Sequence, residues 1–482
     1  MSKLKTSLIY QSVYQICAIC IPLVTSPYLS RVIGAEGLGV FSFYNSLLNY
    51  FLLFAMLGIA AYGMRSIASC ITKEERTHTF FSIYFLQLIS STIVLAIYIL
   101  FVLCSEMEYK NILWVQVIYL ASTAFDISWL FFGIEQYKTT VLRNTVVKIL
   151  TVVAIFLFVK KPEDTVIYVL ILSLGMLIGN LILWAEAHKY IFTPDRSKIN
   201  LRIHVKPVFV LFIPVLAASI YHYMDKTLLG IFADEKSGGY YYNADKLLNI
   251  PLTLIGACCN VFMSRTSNLI AQKDYEEVER VRAKSMQLSL FLISAIALGI
   301  AGVADKFIPM FFGAGFEPCI LLTKFFAAIV IIKTISTNIR SVYLIPDKMD
   351  SVYARSIALG AVVNLGVNCV LLIGLRLGAL GATIATLTAE LSVAVMQVLL
   401  MPNKGSCLKH ICRNGKYIVC GLLMFAIVLF IGNDIENAFI SLLLKIGVGA
   451  AVYLVGCFLL ECTNKTDNNS LINSIRSVIR KK

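Results

Sequence analysis

Charge is scarce in this chain: Asp, Glu, Lys and Arg make up 15% of its 482 residues, against 58% hydrophobic residues. No soluble domain buries that much apolar surface, and repeated apolar runs of about 18 residues or more mark membrane helices. Long polar stretches are missing too. The most extended connections run to roughly twenty residues, as at 188–206, which leaves no room for an inserted soluble domain. Nothing in the chain has the spacing of a nucleophile–base pair, a phosphate loop or a nucleotide site, so direct use of ATP is not expected. No catalytic residue, cofactor or metal is assigned, and the chain is not expected to be an enzyme. The opening Met1-Ser2-Lys3-Leu4-Lys5 and the apolar run behind it lack a small-residue cleavage site, so a retained first helix is expected. Cys17 and Cys20 have a two-residue spacing, but no histidine or second pair lies nearby, and small apolar packing residues are the expected reading.

What is present is periodic hydrophobicity. Fourteen spans are expected, at 7–30, 38–64, 80–104, 112–133, 141–159, 165–187, 207–232, 238–263, 286–304, 317–339, 353–375, 378–401, 416–432 and 438–461; those at 141–159 and 286–304 are the weakest. The fold class is therefore an all-α polytopic membrane protein. The net charge of +14 does not point to nucleic acid, because of where it falls. Of the 42 Lys and Arg, 30 lie in the connections on the side of the N-terminus, 7 on the opposite side and 5 inside spans. By the positive-inside rule both termini are expected in the cytoplasm.

The stretch from Lys206 to Arg265 carries adjacent acid–base pairs inside two apolar spans, Asp225-Lys226 and Asp245-Lys246. Each ionisable residue in a span costs roughly 2.5–3.5 kcal/mol on insertion scales, so such groups usually face a protein interior or an aqueous cavity. Neighbours on a helix point about 100° apart, so the members of a pair do not satisfy one another fully. Two readings stand: a polar cavity lining in a transporter, or ion pairs that lock helices together. An internal repeat runs through the same region. Gly39 and Leu47-Leu48-Asn49 recur at an offset of 200 residues as Gly239 and Leu247-Leu248-Asn249, and Ile21-Pro22 recurs at 192 as Ile213-Pro214. Both copies open on spans of the same direction, so the repeat is parallel, a known transporter plan. The expected domains are a six-helix lobe at 1–190, a second at 206–402, two further helices at 416–462 and a cytoplasmic tail at 463–482. Pro22, Pro27 and Pro214 interrupt long spans, either as hinges or as tolerated bends.

Several segments resemble the polysaccharide flippase family, the lipid-linked oligosaccharide exporters that include O-antigen flippases. They are Pro27-Tyr28-Leu29-Ser30-Arg31-Val32-Ile33-Gly34-Ala35-Glu36-Gly37-Leu38-Gly39-Val40-Phe41, Asn49-Tyr50-Phe51, Leu57-Gly58-Ile59, Tyr62-Gly63-Met64-Arg65 and Phe125-Asp126-Ile127-Ser128-Trp129-Leu130-Phe131-Phe132-Gly133. Asp225-Lys226-Thr227-Leu228-Leu229-Gly230 and Gly239-Tyr240-Tyr241 extend the likeness to about residue 270. The resemblance implies two pseudo-symmetric six-helix lobes around a central cavity, a plan shared with multidrug exporters and lipid II flippases. It also implies a substrate, an oligosaccharide on polyprenyl pyrophosphate moved from the cytoplasmic to the outer leaflet of a bacterial inner membrane. Polysaccharide polymerase and chain-length proteins are the implied protein partners, besides membrane lipids.

Site candidates follow from that substrate. Lys226 and Lys246 are expected to contact the pyrophosphate, with Asp225 and Asp245 holding them or carrying protons. Arg65 is expected to meet substrate at the cytoplasmic end, and Arg31 lies at the outer rim as a contact or an interface anchor. Tyr223 and Tyr241, within the cluster of Tyr221, His222, Tyr240 and Tyr242, are candidates to stack on sugars; an aromatic belt is the alternative for Tyr240 to Tyr242. Asp126 is expected to pair with Arg65. Lys333 and Glu390 are expected either as a buried pair holding the second lobe or as a coupling site. The rival functions are a multidrug exporter, which would favour an acidic cavity, and a polysaccharide polymerase, for which the outer connections are too short.

Overall fold

The structure is a computed structural model that describes residues 19–432, 435 and 437–463. The beginning of the first expected span, Cys17 and the tail beyond 463 lie outside the described residues. The protein is all-α. Twelve helices are long and apolar enough to cross a membrane, and a bent pair, Arg202–Ile213 with Ala218–Phe232, brings the number to thirteen among the described residues. The two weak spans are continuous helices here, within Tyr137–Phe158 and Tyr275–Phe312. The 55° bend of the pair spans Pro214, the position at which the sequence predicts an interruption.

The chain divides into two compact units, one ending at Gly239 and the other beginning at Tyr240. The first contains α1 (19–32), α2 (Gly34–Met56), α3 (Ile59–Ser69), α4 (Lys73–Cys104), α5 (Lys110–Ser122), α6 (Ser128–Gly133), α7 (Tyr137–Phe158), α8 (Thr165–Ala187) and α9 (Arg202–Phe232). Two expected spans are broken within it. The second breaks at Leu57-Gly58, both at positive φ (47° and 75°), so α2 and α3 are separate helices. The fourth breaks at a 3-10 turn, Thr123–Phe125, between α5 and α6. Broken backbone inside a membrane needs partners for its freed carbonyls and amides, and α4 supplies them. Its Ser90 Oγ donates to the Ala55 carbonyl at 2.7 Å. Gln87 Nε2 donates to the carbonyls of Thr123 and Asp126 at 2.7 and 2.8 Å, while its Oε1 accepts from Trp129 Nε1 at 2.9 Å. Gln87, Ser90 and Ser91 stand at i, i+3 and i+4, on one face of α4.

The half-helices α3 and α6 interlock around the same point. Gly63 of α3 lies under the Trp129 ring, where a Cβ would come within 2.5 Å, and Gly133 lies against Ile67. Trp129 stacks on Phe80 at 5.2 Å, in a core that includes Ile67, Ile127, Leu130 and Phe131. At the Lys/Arg-rich end of this unit, Thr72 caps α4 by accepting the Glu75 N–H at 3.1 Å, and Glu75 accepts from Ile71 N in return. At the Gly34 end of α2, α10 (Glu235–Ala271) begins against it. A Cβ on Gly39 would overlap the Glu235 carbonyl, and a Cβ on Gly239 would overlap the Ala35 carbonyl. The repeat glycines thus mark a reciprocal close approach, made across the 200-residue offset.

The second unit continues α10 from Tyr240 and adds α11 (Tyr275–Phe312), α12 (Pro318–Asn338), α13 (Asp350–Asn368), α14 (Gly378–Leu400), α15 (Lys404–Phe430) and α16 (Ala438–Thr463). α12 and α13 each run into a π-helical turn, Ile339–Leu344 and Cys369–Gly374. The long α11 packs against α12, α15 and α16. Its Arg282 is buried and holds Asp347 with two 2.8 Å bonds, donates to the Val342 carbonyl and lies over the Tyr343 ring at 4.8 Å. Tyr343 and His410 Nδ1 are hydrogen-bonded at 2.8 Å, which ties α15 to the π turn.

Candidate functional site

The chemistry that the sequence singles out falls on α9 and on the first half of α10. In the first unit Asp225 is buried at 5% exposure and Lys226 is half-buried. They lie about 10 Å from the Phe232 end of α9, at 1.5 Å per residue. α2 supplies their surroundings. Tyr50 stands edge-on to Tyr223, with ring centres 6.1 Å apart, and its hydroxyl accepts from Thr227 Oγ1 at 3.4 Å. His222 is edge-on to Tyr223 at 5.0 Å. Tyr223 therefore sits in an aromatic and hydroxyl-bearing wall beside the acid–base pair. Tyr62 of α3 and His204 of α9 bond at 2.8 Å further along, fixing α9 against the half-helix that carries Arg65. Arg65 and Arg31 are both exposed.

In the second unit the members of the pair turn to separate neighbours on their own helix. Asp245 accepts from Asn249 Nδ2, one turn on, and the Lys246 ammonium lies 5.3 Å from the Tyr242 ring centre, one turn back. Tyr241 is 3% exposed, bonds Thr386 of α14 at 3.0 Å and meets Phe326 of α12 edge-on. A sugar stacks on that ring only if the packing opens; Tyr242 is half-buried instead. Lys333 of α12 and Glu390 of α14 meet at 3.5 Å, with the carboxylate buried and the ammonium partly open. Lys324, nine residues before Lys333, bonds Asp305 at 2.9 Å.

Asp126 sits in the break of the fourth span. Its Oδ1 accepts the Ser128 N–H at 2.9 Å, two residues on, in an Asx turn just ahead of α6. No ion pair joins it to Arg65 among the described residues. A carboxylate that holds the turn between two half-helices has a structural reason to be there.

Outside the spans several titratable groups form surface pairs. Glu74 holds the Lys198 ammonium at 2.6 Å and raises its pKa, Glu186 does the same for Lys189, and the Ser197 hydroxyl and amide lower that of Asp195. Burial pushes the Cys70 thiol up. Three features escaped the sequence: the Gln87 bridge, the Arg282–Asp347 pair and the buried Lys445, whose Nζ donates to the Val428 carbonyl at 3.1 Å. Only the first left a local signal, the polar stripe of Gln87, Ser90 and Ser91.

A model of the family described as polysaccharide biosynthesis protein matches residues 4–263, more than half the chain and all of the α9 and early α10 sites. A protein described as an O-antigen transporter in Shigella dysenteriae is 23% identical over 352 residues, covering 71% of this chain and 87% of that one. One described as a low-salt glycan biosynthesis flippase in Haloferax volcanii is 26% identical over 180 residues, 37% of each chain. Among solved structures, the lipid II flippase MurJ in an inward closed conformation aligns with a TM-score of 0.71 at 16% identity, over 94% of this chain and 98% of that one. An inward-facing multidrug resistance MATE transporter of the MOP superfamily aligns with a TM-score of 0.62 at 12% identity, over 84% and 99%. The fold is shared with both.

Proposed function

The chain belongs to the polysaccharide biosynthesis protein family, and from that membership we propose that it is a flippase for lipid-linked oligosaccharide. The cargo is a repeat unit of O-antigen or capsular type on polyprenyl pyrophosphate, carried from the cytoplasmic to the outer leaflet by alternating access. Both termini are cytoplasmic in this reading, in accord with 30 Lys and Arg on that side against 7 on the other. The observation that carries it is the placing of Lys226 and Lys246, two half-buried ammonium groups inside apolar helices. Such groups are costly in hydrocarbon and answer the chemistry of an anionic pyrophosphate. Asp225 and Asp245 orient them, Arg65 receives the headgroup, Arg31 meets it on exit, and Tyr223 and Tyr241 contact sugar. Lys333 and Glu390 hold the second unit together. Polymerase and chain-length proteins take the product.

A multidrug exporter is the second reading, since the MATE fold is the same. A cationic lining disfavours it, because exporters of cationic drugs need acids in that place. The test is leaflet-resolved accumulation of the polyprenyl-linked oligosaccharide in cells lacking the protein. Wild type should clear a cytoplasmic-face build-up, and Lys226→Ala or Lys246→Ala should not. Normal clearance by both variants would remove the lysines from the mechanism. An intermediate that crosses without the protein and then fails to polymerise would replace the flippase with a polymerase.

A further inference from the structure

The Gly34 end of α2, outer in the topology proposed above, is built of different chemistry from the spans. Where it and the Phe232 end of α9 meet the 105–109 connection and the start of α10, there is a cavity of about 280 Å³. Gly39, Gly230 and Gly238 leave it open, since none carries a side chain to fill it. Phe43 and Ile231 give it apolar walls, and Glu108, Asp234 and Glu235 bring three carboxylates, with no Lys or Arg in the lining among the described residues. The three acids are exposed, and among the described residues no ion pair or side-chain hydrogen bond holds them. Tyr44 lines the same cavity and is only 4% exposed. Its hydroxyl accepts the Tyr109 N–H at 3.2 Å, and the hydroxyl's own hydrogen has no acceptor among the described residues. A buried donor without an acceptor is costly, and the cavity it lines is where an acceptor would enter.

These groups select a ligand by exclusion. An anion would meet Glu108, Asp234 and Glu235 with like charge. An ammonium answers the acids but brings no acceptor for the Tyr44 hydrogen. A bare metal ion brings none either, and the described residues hold no group of three His, Cys, Asp or Glu placed to ligate one. A hydroxyl does both, donating to a carboxylate and accepting from a phenol. A pyranose ring carries several hydroxyls, and its C–H faces suit apolar walls. The volume lies near the lower end of ligand pockets, about 300 Å³, which fits one ring. Tyr109 also lines a second cavity of about 450 Å³, with Glu36 and Glu163, so a neighbouring ring has a place beside the first.

We propose that this cavity is a carbohydrate site at the outer end of the first unit, taking one neutral pyranose ring through its hydroxyls. Its sidedness, and the transported oligosaccharide as the source of the ring, rest on the flippase reading; the binding chemistry does not. The experiment is saturation-transfer difference NMR on the full chain in polyoxyethylene micelles, whose headgroups are neither sugars nor ions. The probes are the methyl glycosides of glucose, galactose and mannose, each beside its uronide, with choline as the cationic comparator. At least one neutral glycoside should bind, about tenfold or more tighter than its uronide, the worth of one charged contact. Tyr44→Phe should weaken it about fivefold. Glu108→Gln with Glu235→Gln, both on exposed side chains, should bring glycoside and uronide within about threefold of each other, a change in selectivity that a merely structural role would not produce. Equal binding of glycoside and uronide by wild type overturns the proposal, as does glycoside binding that no variant alters, which would put the sugar elsewhere. Choline bound with no glycoside bound would make the cavity a cation site instead, and no binding at all would leave it to water. No lipid carrier and no translocation enter the measurement, so failure here leaves the leaflet test standing, and failure there leaves this cavity a sugar site.

Discussion

Replacing Gln87 by Leu tests whether α4 is the part that makes two broken spans tolerable. The substitution roughly keeps the size of the side chain but removes its amide, and so strands the Thr123 and Asp126 carbonyls and the Trp129 indole N–H, all bonded to Gln87 at 2.7–2.9 Å. Gln87 is 0% exposed, so no lipid headgroup or bulk water is at hand to replace it. Stranded buried groups cost about 1–3 kcal/mol each, whereas hydrogen bonds measured inside membrane proteins average about 0.6 kcal/mol. Three bonds place the expected loss at about 2–5 kcal/mol. The assay is unfolding free energy by steric trapping in bicelles, with Ile89→Ala, on the exposed face of α4, as a control expected within about 1 kcal/mol of wild type. Trp129→Phe removes the indole donor together with part of a buried ring, and the double variant, which isolates the shared bond, should show a coupling of about 0.5–1.5 kcal/mol with Gln87→Leu. A loss below about 0.5 kcal/mol for Gln87→Leu would refute the reasoning, since typical single bonds are already worth that much.

Three further outcomes are expected. Gly39→Ala and Gly239→Ala should each destabilise the protein by more than about 2 kcal/mol in the same assay, because each new Cβ overlaps a backbone carbonyl and not a side chain that can turn away; tolerance of both would mean that the helices do not approach so closely. Asp347→Asn should lower stability by about 2–4 kcal/mol, below the top of the range for broken buried pairs because the Asp347 carboxylate keeps some solvent contact; Arg282→Met with Asp347→Leu should recover part of that loss. Maleimide labelling of Cys70 in the folded protein should be slower than in the unfolded chain at pH 7 and should keep rising above the ordinary thiol range, since burial raises its pKa and leaves less thiolate at a given pH. Equal rates in the two states would contradict the burial.

Hydropathy made the spans readable because the membrane demands length and composition, and those are local properties of the chain. The repeat was readable for the same reason, and the structure gives Gly39 and Gly239 a shared task. Hydropathy is blind to backbone angles, so the span was legible but not the turn of Leu57 and Gly58 to positive φ inside it. The motif around Asp126 was visible as a motif but not as a break in a helix, because the group that satisfies its carbonyl is Gln87, 39 residues earlier. Arg282 and Asp347 are 65 residues apart, and no local pattern announces such a pairing. For the lysines, the sequence located the charges, while their immediate neighbours, Tyr242 one turn back and Tyr50 on α2 beside Tyr223 and Thr227, come from packing.

The meeting of Ala35–Gly39 with Glu235–Gly239 has the form of a homodimer contact made inside one polypeptide. In a two-fold dimer, position i touches j and position j touches i, and one mutation strikes both sides at once. Here the two sides are encoded separately, yet a Cβ on Gly39 would meet Gly239 N at 2.9 Å as well as the Glu235 carbonyl, so one substitution strains both halves of the contact. The two segments are free to diverge elsewhere, but neither can enlarge this junction alone.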